Sequence, residues 1–241
     1  MSRLIKSKRI FIHFNKALCL FLCLFPFWAC QNDLYEKGEK TLAIGDFKRA
    51  ASFFSSVLDE DPLVMKARYG LALSYFGLAE EMEWRGENAL SFWQKAYDEF
   101  RILERARVLD GYEKMYSTCL FYWARATLSL DPEASVLSVL DRSIELDSTN
   151  YFSFNLKGLF LQSKGQDSLA QETFVYIIAK EPEFIAAYSN LGNLYWKKGD
   201  YENAWDIWSM GLQKYPNDPY LKTWTERAQD SLTVRFLMES L

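Results

Sequence analysis

The chain has 241 residues, 49% of them hydrophobic and 25% charged, which suffices for one or two packed domains and is too apolar for a disordered tail. Aromatic residues make up 17% against only 11 Gly and 6 Pro, a balance that favours long helices over a loop-rich or collagen-like chain. The first 29 residues hold five basic residues, no acid and the sole histidine, His13; without them the formal charge moves from -4 to -9, which speaks against nucleic acid as a partner and removes histidine as a general base or zinc ligand.

At the amino terminus, the basic stretch from Arg3 to Lys16 runs into thirteen uncharged residues, Ala17 to Ala29, and then Cys30. That is the layout of a secretory signal. The run falls short of the about 20 apolar residues that cross hydrocarbon, and Pro26 interrupts it, so cleavage is expected rather than a permanent span. Ala29-Cys30 resembles the end of a bacterial lipoprotein signal peptide. The resemblance implies that residues 1–29 are removed, that Cys30 carries lipid as the first mature residue, and that the product is a membrane-anchored lipoprotein facing the periplasm. Gln31, where an aspartate would retain a lipoprotein at the inner membrane, leans towards the outer membrane. An ordinary cysteine closing a plain signal or an uncleaved anchor stands as the alternative. Of the other cysteines, Cys19 and Cys23 belong to the leader, and Cys119 reads as a small buried hydrophobe.

Beyond the leader, one ruler recurs. The segments starting at Gly45, Gly165 and Gly199 each place an alanine five residues later (Ala50, Ala170, Ala204), an aromatic four residues after that (Phe54, Phe174, Trp208), and a proline at plus twelve (Pro62, Pro182, Pro216). Pro182 and Pro216 are 34 residues apart, as are Ser148 and Pro182. A weaker copy begins at Asp131-Pro132, with Val136 in the alanine slot and Leu140 in the aromatic slot. Glycine ends one helix, the alanine permits close approach, the large residue fills the gap, and proline stops the second helix. On the preceding helix Tyr188, Leu191 and Tyr195 line one face. Each unit is thus a helical hairpin that buries its apolar face only against a neighbour.

The middle breaks step: Pro62 to Ser148 is 86 residues, two periods of 34 plus 18. Leu71, Tyr75, Ala89, Trp93 and Ala96 give a second repeat whose inner turn is lengthened around residues 80–86, and the remaining surplus is expected to prolong helices through 101–111. This extended hairpin, about 80–116, is either a contact element or a solvated extension.

Tyr188, Leu191, Gly192, Tyr195, Ala204, Trp208, Gly211 and Pro216, echoed by Phe154, Gly158, Ala170, Phe174 and Pro182 and by Leu34, Gly38, Gly45, Ala50, Phe54 and Pro62, resemble the tetratricopeptide repeat. The resemblance implies an all-α, right-handed α-solenoid of about five helical hairpins over residues 30–218. An amphipathic helix over 219–241 is expected to cap its open end. First helices of such hairpins line a concave groove, which places Tyr69, Phe76, Phe121, Arg125, Asn155, Gln162, Asn193 and Trp196 as candidate partner-binding residues. For Phe76 and Trp196, packing within the core is the competing reading.

No glycine-rich phosphate loop, CxxC pair or nucleophile elbow occurs, and the acidic runs at Asp59–Asp61 and Glu80–Glu83 fall at a repeat end and in the extension. No enzyme, metal or cofactor is therefore expected. The resemblance implies a non-catalytic scaffold of the bacterial cell envelope that binds a protein or peptide and serves assembly, secretion or transport. The alternative is a superhelix that binds a small molecule or lipid, with Tyr69, Phe76, Phe121 and Trp196 around an apolar channel.

Overall fold

The computed structural model describes residues 33–240, so the leader and Cys30 lie outside the described residues. The chain divides into two compact units, Met1–Asp110 and Gly111–Leu241. Every regular element among the described residues is a helix, and the fold is an all-α solenoid of helical hairpins.

The first unit holds α1 (33–43), α2 (Phe47–Glu60), α3 (Met65–Trp84) and α4 (Leu90–Arg105). The Asp46 carboxylate accepts the Arg49 amide at 3.1 Å and so caps α2. Ala50 is fully buried, and Phe54 enters between Gly38 of α1 and Gly70 of α3; a Cβ at Gly38 would stand 2.7 Å from the Phe54 ring. The absent side chains make the room that the ring fills. Between α3 and α4 the buried residues are Trp93, Ala96, Phe100 and Leu103.

The extra residues of the middle segment take a specific form. α3 runs for 20 residues, and α4 ends at Arg105 instead of continuing to residue 111. Arg107 turns left-handed (φ 58°) while its amide and that of Val108 return to Glu104 and Leu103 carbonyls, which closes the helix without a glycine.

The second unit holds α5 (Glu113–Leu130), α6 (Leu137–Leu146), α7 (Tyr151–Ser163), α8 (Asp167–Lys180), α9 (Ile185–Lys197), α10 (Tyr201–Lys214) and α11 (Pro219–Glu239). Gly165 and Gly199 sit at φ +72° and +74° between the helices of their hairpins, where a side chain would be strained. Asn150, Asp200 and Asp218 cap α7, α10 and α11. Ala170 and Ala204 are fully buried, as are Phe174 and Trp208 one turn on. In the weaker copy Val136 and Leu140 are also fully buried, against Ala124. Ion pairs 31 residues apart tie the array: Glu133 in the turn of the α5–α6 hairpin with Lys164 in the turn of α7–α8 at 2.5 Å, and Glu183 just before α9 with Lys214 at the end of α10 at 2.7 Å. That separation is one repeat less about one helical turn.

Candidate functional site

In the second unit the first helices of the hairpins, α5, α7 and α9, touch in sequence, and α11 follows α9 in the same manner. Their shared face carries two kinds of side chain. The rings of Phe121, Phe152 and Phe184 form a ladder, with centroids 5.8 Å and 5.2 Å apart. Phe152 is 62% exposed at the centre of that ladder. Arg125, exposed, lies over Phe121 and Tyr122 at 5.7 Å and 4.7 Å from their centroids.

Beside the ladder runs a line of amides. Asn190 donates through Nδ2 to Asn155 Oδ1 at 2.7 Å, joining α9 to α7, and Tyr220 donates its hydroxyl to Asn193 Oδ1 at 2.6 Å, joining α11 to α9. Further along α7, Gln162 keeps a shielded Nε2 with no acceptor among the described residues. A buried donor without a partner is destabilising, so a carbonyl brought to it gains the full bond. Rings supply contact area and amides pair with backbone, a combination suited to a peptide in extended form.

The eight candidate residues divide between the units. Phe121, Arg125, Asn155, Gln162 and Asn193 belong to the face just described. Trp196 is on α9 too, but its ring sits among Tyr201, Trp208 and Trp224, at 4.7, 6.0 and 5.5 Å between centroids. In the first unit Tyr69 meets Phe100 edge-on at 6.1 Å, and Phe76, 8% exposed, meets Trp93 edge-on at 4.8 Å. Both of these rings contribute to the packing of α3 on α4.

Four residues of the face were not singled out from sequence: Phe152, Phe184, Asn190 and Tyr220. The spacing of Phe121, Phe152 and Phe184, 31 and then 32 residues, is the available signal, and it echoes the period of the ion-pair stitches. At one edge, Glu183 accepts from Lys214 and from Tyr215, and these bonds hold its carboxyl below the ordinary range. Within α5, burial pushes the Cys119 thiol far up, which removes it as a nucleophile. Among the described residues no three His, Cys, Asp or Glu side chains group as metal ligands, and no helix is long and apolar enough to cross a membrane.

No protein-family model and no curated protein matches the chain. Solved structures do. The chain is similar to YrrB, described as a tetratricopeptide protein with an unusual peptide-binding site, at 20% identity over 80% of this chain and 90% of that one, with a TM-score of 0.59. It is similar to the C-terminal part of a tetratricopeptide-repeat protein from Cytophaga hutchinsonii at 15% identity, over 83% of this chain and 72% of that one, with a TM-score of 0.61. A tetratricopeptide-repeat protein from Parabacteroides merdae aligns at 16% identity over 84% of this chain and 73% of that one, with a TM-score of 0.55. The fold is that of tetratricopeptide-repeat proteins.

Proposed function

We propose that this chain is a non-catalytic protein-interaction scaffold of a bacterial cell envelope, anchored by lipid on Cys30, whose first-helix face in the second unit holds an extended segment of a protein partner. The observation that carries this reading is Phe152, 62% exposed between Phe121 and Phe184 and beside the Asn155–Asn190 pair. An exposed aromatic set in a fixed frame is the side chain that dominates binding when a partner covers it. The lining consists of rings, neutral amides and the Arg125 guanidinium, which grip a partner and move no proton at neutral pH. The similarity to YrrB supports a peptide as the kind of ligand. The small-molecule reading, with Tyr69, Phe76, Phe121 and Trp196 around an apolar channel, is less well supported, because Tyr69, Phe76 and Trp196 are occupied in packing.

A photo-crosslinking residue placed at Phe152 in the full chain, expressed in its native cells, is expected to yield a discrete adduct. The same residue at Val175 on α8, 47% exposed and outside this face, is expected to yield none. Equal adducts from both sites, or none from Phe152, would end the proposal for this surface. Cys30→Ser is expected to move the protein from the membrane fraction to the soluble envelope fraction, and unchanged retention counts against the lipid anchor.

A further inference from the structure

The lengthened middle segment gives the first unit a feature that the peptide-binding face does not use. Phe47, the first residue of α2, lays its ring on Gly77 of α3, where a Cβ would come within 2.5 Å of the ring. α3 continues past that point to Trp84, so its last two turns overhang the start of α2 by about 10 Å. Gly77, Glu80, Glu81 and Trp84 fall at offsets zero, three, four and seven, on one side of this overhang. With Phe47 and Arg85 they line an open depression of about 500 Å³. Trp84 is 89% exposed, the most exposed of the large apolar side chains among the described residues.

The charges around the depression are unevenly matched. Arg85 pairs with Glu81 at 3.7 Å, and Glu83 accepts the Trp93 indole hydrogen at 2.8 Å. Glu80 has neither an ion pair nor a hydrogen-bonding side chain among the described residues. Glu80 is exposed, but partial shielding by its neighbours and the nearby Glu83 hold its carboxyl above the ordinary carboxylate range, so a cation beside it relieves a penalty present in the free protein.

We propose that this ledge is a second docking site, which takes an arginine side chain of a protein partner, with the guanidinium stacked on Trp84 and paired with Glu80. The rings and the carboxylate both select a cation, and a planar guanidinium serves both at once where an ammonium serves one. The volume of the depression holds such a side chain with adjoining backbone. A free small cation is the weaker occupant: in a site so open to water, each of the two contacts multiplies affinity by less than about tenfold. A side chain carried by a partner adds its own contact area and leaves less freedom to lose. This inference stands apart from the peptide-binding face of the second unit.

The test uses the full chain labelled with 5-fluorotryptophan, with the Trp84 fluorine resonance identified by its loss in Trp84→Phe. The probe is a Gly/Ser octapeptide containing two arginines. The Trp84 resonance is expected to shift along a saturating curve, the same peptide with citrulline is expected to leave it in place, and Glu80→Gln is expected to weaken binding by about two- to fivefold. Glu80 is exposed, so Glu80→Gln spares the fold, and dispersion of the remaining fluorine signals checks that. Phe152→Ala is expected to leave the curve unchanged, which separates failure of this site from failure of the other surface. An unmoved Trp84 signal, an equal response to citrulline, or indifference to Glu80→Gln overturns the proposal. Guanidinium chloride that matches the peptide mole for mole overturns the protein-partner assignment in favour of a small-cation site.

Discussion

Gly192 and Trp208 illustrate how a single absent side chain sets the spacing of two helices. Trp208 is fully buried, donates its indole hydrogen to the Ser189 carbonyl at 3.4 Å, and lies against Gly192 so closely that any Cβ there would enter the ring. Gly192→Ala is expected to destabilise the protein by about 1–3 kcal/mol through overpacking. In Gly192→Ala with Trp208→Phe the two lesions partly offset, so the double variant loses less than the sum of the singles, as read from urea midpoints. Gly199→Ala is a contrasting case. Its φ is +74° and nothing lies within 4 Å of the new methyl, so the expected loss of about 1 kcal/mol comes from backbone strain and no change at Trp208 rescues it. Gly199 was legible in the ruler, in a fixed slot before Ala204 and Trp208, and Gly192 through the resemblance to the tetratricopeptide pattern. Arg107 was not, since a left-handed residue other than glycine leaves no compositional mark.

Between elements, two kinds of polar tie supplement the aromatic packing. The first is buried: Ser117 on α5, Ser143 on α6 and Ser153 on α7 are fully buried and share hydrogen bonds of 2.7–2.9 Å, with Asn150 Nδ2 donating to Ser117 at 2.9 Å. Ser143→Ala takes from Ser153 its hydroxyl partner and from the Ser117 carbonyl its donor, and is expected to lower stability by about 1–3 kcal/mol, measured by urea denaturation. Serines inside helices carry no pairing signal in sequence, so this tie appeared only once α5, α6 and α7 were packed together. The second tie is exposed and electrostatic. Lys214 and Tyr215 hold the Glu183 carboxyl below its ordinary 4.5. A depressed folded value means that the stabilisation is complete above 4.5 and disappears as pH falls through that lower value. Glu183→Gln is therefore expected to unfold at lower urea than the native chain at pH 7, with the gap closing once Glu183 is protonated in the folded state. The Lys214 ammonium is raised by the same carboxylate, so its share is present at neutral pH and is lost only as pH climbs past 10.5 through the raised value.

At the scale of the whole molecule, the hairpin pattern was readable because it depends on large residues at fixed separations, whereas the lining of the proposed binding face was only partly readable. Trp196 obeys the helical offset that places Asn193 on the face, yet α11 brings Trp224 to within 5.5 Å of it, and no periodicity within α9 announces what the next helix will cover. α11 binds as the first helix of a further repeat would: Leu221 and Ala228 are fully buried, Trp224 packs on Trp208 at 5.4 Å, and Tyr220 reaches Asn193. Val234, Phe236, Leu237 and Met238 towards its end are exposed. In a repeat array each hairpin is stabilised by its neighbours, so losing the last helix weakens the adjoining hairpin first. Trp224→Ala is expected to cost about 3 kcal/mol or somewhat less, since the ring is only half buried. A chain ending at Asp218 is expected to expose Tyr188 and Trp208, bind a hydrophobic dye and self-associate as concentration rises. Hydrogen exchange locates the effect: amides of α9 and α10 are expected to lose protection in both variants while those of α5 and α6 keep theirs. Uniform loss across α5–α10 would mean that the second unit unfolds as one cooperative block, and unchanged exchange would mean that α11 only rests on α10 without supporting it.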